Sequence, residues 1–307
     1  MELPTTPAPT IGRPGGGPST ILDAVRDGVL DAELGGLLWL LVDGGAPVVV
    51  AGPGLSGSTG RKVRADLLAA VLDLLPSTRH RLDLAGSNED FPWLSDAERL
   101  GWVRSTGADT LPAIPWQTTL VAGELGGDPS TDLAGDRVRL VVRALGSGFG
   151  LVATIDAAGL DEVLASLRRR PVFLTDDELS NLGIVLVIGS EGEGSSGAAG
   201  VRVVAAHYVR PLARDTHGHT QRLPPAVLAT WDGGSGRFEH FAWGISAELA
   251  ERVGRRTGDF EAESERRAGV LAALAMADDE PLDRTALHAV LDRQRAVGAL
   301  DAGFRQH

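Results

Sequence analysis

The chain has 307 residues, 43% of them apolar, with 41 acidic against 29 basic side chains and a formal net charge of −12. That balance argues against broad nucleic-acid binding, which needs a basic footprint. The absence of cysteine excludes disulfides and thiolate metal sites, and no run of about 18 apolar residues offers a transmembrane helix.

Residues 1–18 are rich in Pro, Gly and Thr and have no periodicity, so they read as a flexible tail. They lack the basic start and apolar core of a signal peptide, and a cytoplasmic setting is expected. From Ser19 onward "STILDAVRDGVLDAELGGLLWLLVDGG" predicts two helices, with Thr20 and Asp23 at capping-box spacing. Val48–Ala51 predicts a buried strand, and after a glycine loop "RADLLAAVLDLLP" has helical spacing up to Pro76. Strands follow at "RHRLDLAG" and at Thr118–Glu124, "TTLVAGE". The helix "DRVRLVVRALG" precedes the strand "FGLVATID". "GLDEVLASLRRR" and "TDDELSNL" are helical, the latter with Thr175 and Glu178 as a capping box. "GIVLVIG" and "GVRVVAAHYV" flank a Gly/Ser/Glu turn as a hairpin, and from about Ile245 the chain is helical. This order implies an α/β fold: a mostly parallel sheet, helices on both faces, an antiparallel edge and a C-terminal helical region.

The stretch "VVVAGPGLSGSTGRKVR" is laid out as strand, glycine loop and helix, as in a phosphate-binding P-loop. Gly52–Thr59 has the spacing G-x-x-x-x-G-x-T, with Ser58 where lysine belongs. About five such glycine pairs arise by chance at this glycine content, so the strand–loop–helix context carries the reading. A second register, Gly54 to Gly60, is followed by Arg61 and Lys62, but its loop is one residue too long. A third, counted back from Pro76, puts Arg64 at the lysine position. Gly52, Gly54, Gly57, Ser58, Thr59, Gly60, Arg61 and Lys62 are the candidate phosphate-binding residues.

Further landmarks are "TTLVAGELGG", "GSGFGLVATIDAAGLDEVLASL", "GIVLVIGSEGEGSSGAAGVRVVAAHYV", "LATWDGGSGRFEHFAWG" and "FEAESERRAGVLAAL". Their order and spacing resemble the type II/type IV secretion-system ATPases, the motors of pilus assembly, protein secretion and conjugation. The resemblance runs from about Ser19 to about Ala275 and implies a RecA-like P-loop NTPase fold over residues 19–244, with residues 245–307 as its helical continuation. The family's separate N-terminal domain has no counterpart in this stretch.

At the family's catalytic positions the sequence departs from the pattern. Ser58 replaces the P-loop lysine. The acidic box falls on "LDLAGSNED", with Ala85 and Gly86 at its acidic pair and only Glu89 kept. Gly123 and Glu124 keep the Gly-Glu end of the Walker B strand, which makes Glu124 the candidate catalytic carboxylate. Thr118 stands near an expected Asp, Gly126 replaces an arginine, and Gly148 and Asp156 occupy the two histidine positions. ATP turnover requires positive charge on the phosphoryl oxygens, a held Mg²⁺ and an oriented water. Serine cannot supply the charge-assisted hydrogen bond of lysine, which is about twice as strong as a neutral one.

The resemblance therefore implies a catalytically inactive paralogue, a structural or regulatory subunit of such a system. Its expected partners are an active ATPase of the same family, in a mixed oligomer, or an inner-membrane platform protein that holds it at the inner face of the membrane. The alternative is a divergent ATPase using ATP and Mg²⁺, with Arg61 or Lys62 for the lysine and Glu124 positioning water. A nucleotide-sensing module without turnover is a third reading. No metal site is expected: His217 and His219 in "DTHGHT", near Asp215, read as a solvated loop. "RRR" at 168–170 reads as a helix C-terminus, "ERR" at 265–267 as a solvated helical face, and Trp39, Trp102 and Trp231 as core or interface anchors.

Overall fold

The computed structural model describes residues 20–52, 58–103, 111–190, 200–214, 220–277 and 282–304. Helix α1 (Ile21–Arg26) opens on the expected capping box: the Thr20 hydroxyl accepts from the Asp23 amide, and the Asp23 carboxylate accepts from the Thr20 amide. Helix α2 (Ala32–Asp43) is capped by Asp31 and is buried continuously from Leu34 to Val42, as a core helix must be. Strand β1 (Val48–Gly52) leads to α3 (Ser58–Leu72), then β2 (His80–Asp83), β3 (Thr118–Glu124) and α4 (Asp136–Leu145). Strand β4 (Gly150–Asp156), α5 (Leu160–Arg168) and α6 (Asp176–Leu179) follow, and Thr175 with Glu178 caps α6. Next come β5 (Gly183–Ser190), β6 (Val201–Val209), the short strands β7 (Ala213–Arg214) and β8 (Thr220–Gln221), β9 (Ala226–Asp232) and β10 (Arg237–His240). Helices α7 (Ser246–Arg252), α8 (Thr257–Met276) and α9 (Arg284–Phe304) close the chain.

The main sheet has eight strands in the order β10-β9-β6-β5-β1-β4-β3-β2. Strands β5, β1, β4, β3 and β2 are parallel; β6, β9 and β10 add an antiparallel extension. This is the expected α/β architecture, a mostly parallel sheet with an antiparallel edge. Strand β1 lies at its centre, Val48 opposite both Val152 and Ile184. Its residues are buried on both faces, the signature of a covered parallel strand. Val48 and Val50 face a core built with α1, α2, α3 and α8, whereas Val49 and Ala51 face the core under α4, α5 and α6. Strands β7 to β10 go beyond the sequence reading. Their segments are short, and the Asp232–Gly236 turn, in which Asp232 accepts the Gly234 and Ser235 amides, breaks any long alternation. Among the described residues no helix is long and apolar enough to cross a membrane.

The C-terminal helices are fastened to the sheet domain. Helix α8 packs on α2 so closely that a Cβ on Gly36 would lie 2.5 Å from the Ala268 nitrogen. The "ERR" run requires a correction. Arg267 is buried, not solvated: its guanidinium donates to Asp43 at 2.5 Å and to Glu263 at 2.7 Å, and lies 4.7 Å from the Trp39 ring centroid. Arg295 of α9 donates to the other Asp43 oxygen at 2.9 Å. Helical phase explains the difference, since Arg267 points at α2 while Glu265, two residues earlier, points outward. The triplet at 168–170 does end a helix, with Arg168 in its last turn and Arg169 as its C-cap.

Candidate functional site

The candidate site lies at the carboxyl ends of the parallel strands, where open α/β sheets bind ligands. Strand β1 stops at Gly52 and α3 starts at Ser58, and residues 53–57, with Gly54 and Gly57, lie outside the described residues. Ser58, Thr59 and Gly60 form the first turn of α3. The next turn carries Arg61, Lys62 and Arg64, and each of these cations meets a carboxylate. Arg61 donates to both Asp132 oxygens, at 3.1 and 2.9 Å, and this hydrogen bond and charge raise its already high pKa. Lys62 reaches Asp66 at 2.6 Å, one helical turn further on.

Arg64 turns inward. It is 3% exposed, and its Nη2 donates to Glu124 Oε1 and Oε2 at 3.0 and 3.1 Å. Its Nη1 donates to the Gly52 carbonyl at 2.9 Å and lies 3.7 Å from Asp156 Oδ1. One guanidinium therefore joins the ends of β1, β3 and β4. Glu124 is equally buried and accepts a further hydrogen bond from Thr154 Oγ1 at 3.1 Å. A bulge in β3, between Ala122 and Glu124, sets the register at this point, and Gly123 is exposed while Glu124 is buried. Close packing holds the carboxylate: a Cβ on Gly127 would lie 2.8 Å from Glu124 Cγ.

The other landmark positions are structural in their contacts. Glu89 is buried and accepts from the Ala85 amide, the Phe91 amide and the Trp93 indole at 2.9, 2.8 and 3.2 Å. It folds its own loop. Gly126 and Gly148 have φ of +77° and +98°, a region that strains any residue with a Cβ. The backbone at both positions is suited to glycine. Thr118 is buried at the opposite end of β3.

Beside the Arg64–Glu124 pair is a cleft of about 400 Å³, lined in part by Gly126, Gly127, Asp156, Arg169 and Arg170. Among the described residues no group of three or more His, Asp or Glu side chains is placed to hold a metal, and His217 and His219 lie outside them. Binding of Mg²⁺·ATP for turnover needs a carboxylate open to metal or water and a cation open to phosphate. Of the residues that the resemblance singles out, Glu124 is closed on Arg64 while Arg61 and Lys62 lie against Asp132 and Asp66, and the open charges at the cleft are instead Asp156, Arg169 and Arg170.

The sequence points to Glu124 as a candidate and offers Arg64 only through a third loop register. It does not by itself pair the two. The available signal was Arg64 itself, an arginine six residues into a helix whose neighbouring positions 63, 67 and 68 are apolar.

No protein-family model matches the chain, and no curated protein matches it. Among solved structures it is similar to the VirB11 ATPase from the Brucella suis type IV secretion system, in complex with sulphate. The two are 16% identical with a TM-score of 0.36, and the match covers 59% of this chain and 53% of that one. The chain thus spans about half the length of that protein.

Proposed function

We propose that this chain is a non-hydrolysing RecA-like subunit, a relative of the secretion and type IV pilus assembly ATPases that serves as a structural or regulatory partner. The observation that carries this reading is the buried Arg64–Glu124 pair. Freeing Glu124 to orient water or hold a metal leaves Arg64 in the interior with only the more distant, exposed Asp156 as counter-charge, and breaking a buried pair costs about 3–5 kcal/mol. The arginine neutralises Glu124 and satisfies the Gly52 carbonyl at the strand ends. Residues 19–244 form the RecA-like body in this reading, and residues 245–307 brace it. The partner is an active ATPase of the same type, in a mixed oligomer, or an inner-membrane platform protein that holds the chain at the cytoplasmic face.

A phosphate-release assay joined to a nucleotide titration tests the proposal. The purified chain is expected to release no phosphate above background with Mg²⁺ and ATP. Robust hydrolysis that Glu124→Gln abolishes, in a variant that keeps its far-ultraviolet spectrum, overturns the proposal in favour of a divergent ATPase. Binding that raises the melting temperature without turnover selects a nucleotide-sensing subunit instead.

A further inference from the structure

On the α2–α8 face of the molecule a groove of about 380 Å³ opens between α2, α8 and the turn that follows β10. Leu37, Phe260 and Ala268 line it with apolar surface, and Trp243 stands at its edge. The Trp243 side chain is 77% exposed, and its neighbour Phe241 is 39% exposed. A large aromatic ring left in water beside an apolar groove forfeits the burial that normally retains it. Tryptophan is also among the side chains that most often dominate binding energy at protein interfaces.

The rim is acidic. Glu33 of α2 and Glu261 and Glu265 of α8 line the groove. Glu261 and Glu265 are exposed and one helical turn apart, so their like charges repel. Glu263, between them, instead faces inward and pairs with Arg266 and Arg267. His240 is the basic group at the rim, and it is engaged by Asp31 at 2.8 Å with Glu33 at 3.7 Å. An apolar centre bounded by the exposed carboxylates of Glu261 and Glu265 selects its ligand by chemistry. A neutral apolar segment would desolvate carboxylates without pairing them. A lipid headgroup or nucleic acid of negative charge would be repelled.

We infer that this groove docks a basic amphipathic helix of a partner protein. Its apolar residues fill the space over Leu37 and Phe260. A lysine or arginine lays its alkyl stem along the Trp243 indole, where the ring face also attracts the cation, and turns its charge to Glu261 and Glu265. Such docking is independent of the Arg64–Glu124 pair and of nucleotide turnover.

The test uses the full chain and a fluorescein-labelled synthetic peptide of leucine and lysine at helical spacing, about 18 residues long, followed by anisotropy. Saturable binding that weakens with added salt is expected, with no binding of the charge-reversed leucine/glutamate peptide. Trp243→Ala should weaken binding by about tenfold or more. Glu261→Gln with Glu265→Gln should weaken it several-fold and flatten the salt dependence. The control pair Glu98→Gln with Glu162→Gln, on other elements, should leave it unchanged. Unchanged far-ultraviolet spectra and melting temperatures establish that each variant is folded, and Trp243→Phe should restore most of the affinity. Equal affinity of the Trp243→Ala chain, or equal weakening by the control pair, overturns the proposal. So does a dimer in sedimentation that Trp243→Ala dissociates, which assigns the groove to a second copy. Trp243-dependent binding to anionic vesicles overturns it as well.

Discussion

Arg64 and Glu124, 60 residues apart in sequence, bind each other through two hydrogen bonds of 3.0 and 3.1 Å in the interior. Either partner alone is a buried charge. Arg64→Met and Glu124→Leu should each lower the unfolding free energy by about 3–5 kcal/mol, whereas the two together should recover most of that loss. Urea unfolding of the four chains measures the coupling. Additive losses in the double variant would mean that the pair contributes nothing as a pair.

The same pair sets the outcome of placing a lysine at position 58. Ser58→Lys adds a cation to the first turn of α3 but leaves Glu124 closed on Arg64. It is expected to raise affinity for nucleotide without producing turnover, as read by parallel titration and phosphate release. Hydrolysis by the Ser58→Lys chain would show that one residue separates this protein from a motor.

Packing between α2 and α8 predicts opposite signs for two glycine substitutions. The Cβ of Gly36→Ala would lie 2.5 Å from Ala268 N and 2.8 Å from Ser264 O, both backbone atoms that cannot step aside. A loss of about 1–3 kcal/mol is expected. Gly269, inside α8, has nothing within 4 Å of such a Cβ, so Gly269→Ala should gain about 0.5–1 kcal/mol. Denaturant midpoints with unchanged slopes would check both.

His240 gives a pH dependence. Burial lowers its pKa, but the hydrogen bond and charge of Asp31, aided by Glu33, outweigh burial, and the net shift is upward. The folded state therefore holds this proton more tightly than the unfolded chain, whose histidine titrates near about 6.5. The resulting stability is full below that value and is lost as pH rises through the higher folded value. Melting curves from about pH 6 to pH 8.5 should show the wild-type chain losing its advantage over His240→Gln. A constant difference across that range would refute the linkage.

Much of the fold was legible because its signals are local. The Thr20 and Thr175 capping boxes, the β-branched run of β1 and the strand Thr118–Glu124 were each read from a few neighbouring residues, and each forms as expected. What was missed depends on distant partners. Arg267 lies in a charged run, and only the approach of Asp43 and Trp39, more than two hundred residues earlier, makes it a core residue. Strands β9 and β10 take their place from β6 and from each other. At the candidate site Glu124 was visible as a residue, but its closure by Arg64 was not, because it depends on how α3 lies against the ends of β1 and β3.

The strand order also fixes when the molecule can become itself. Strand β1 is the earliest made, yet its two neighbours are β4 and β5, and its register with β5 is complete only at Val187. During synthesis this apolar run keeps a bare edge until the residues up to Val187 have emerged. Contacts this remote in sequence slow folding and leave strand edges open to wrong partners. The hairpins β5–β6 and β9–β10 close locally, so the last strands of the sheet are the quickest to pair, and the central strand is sealed only when the later half arrives.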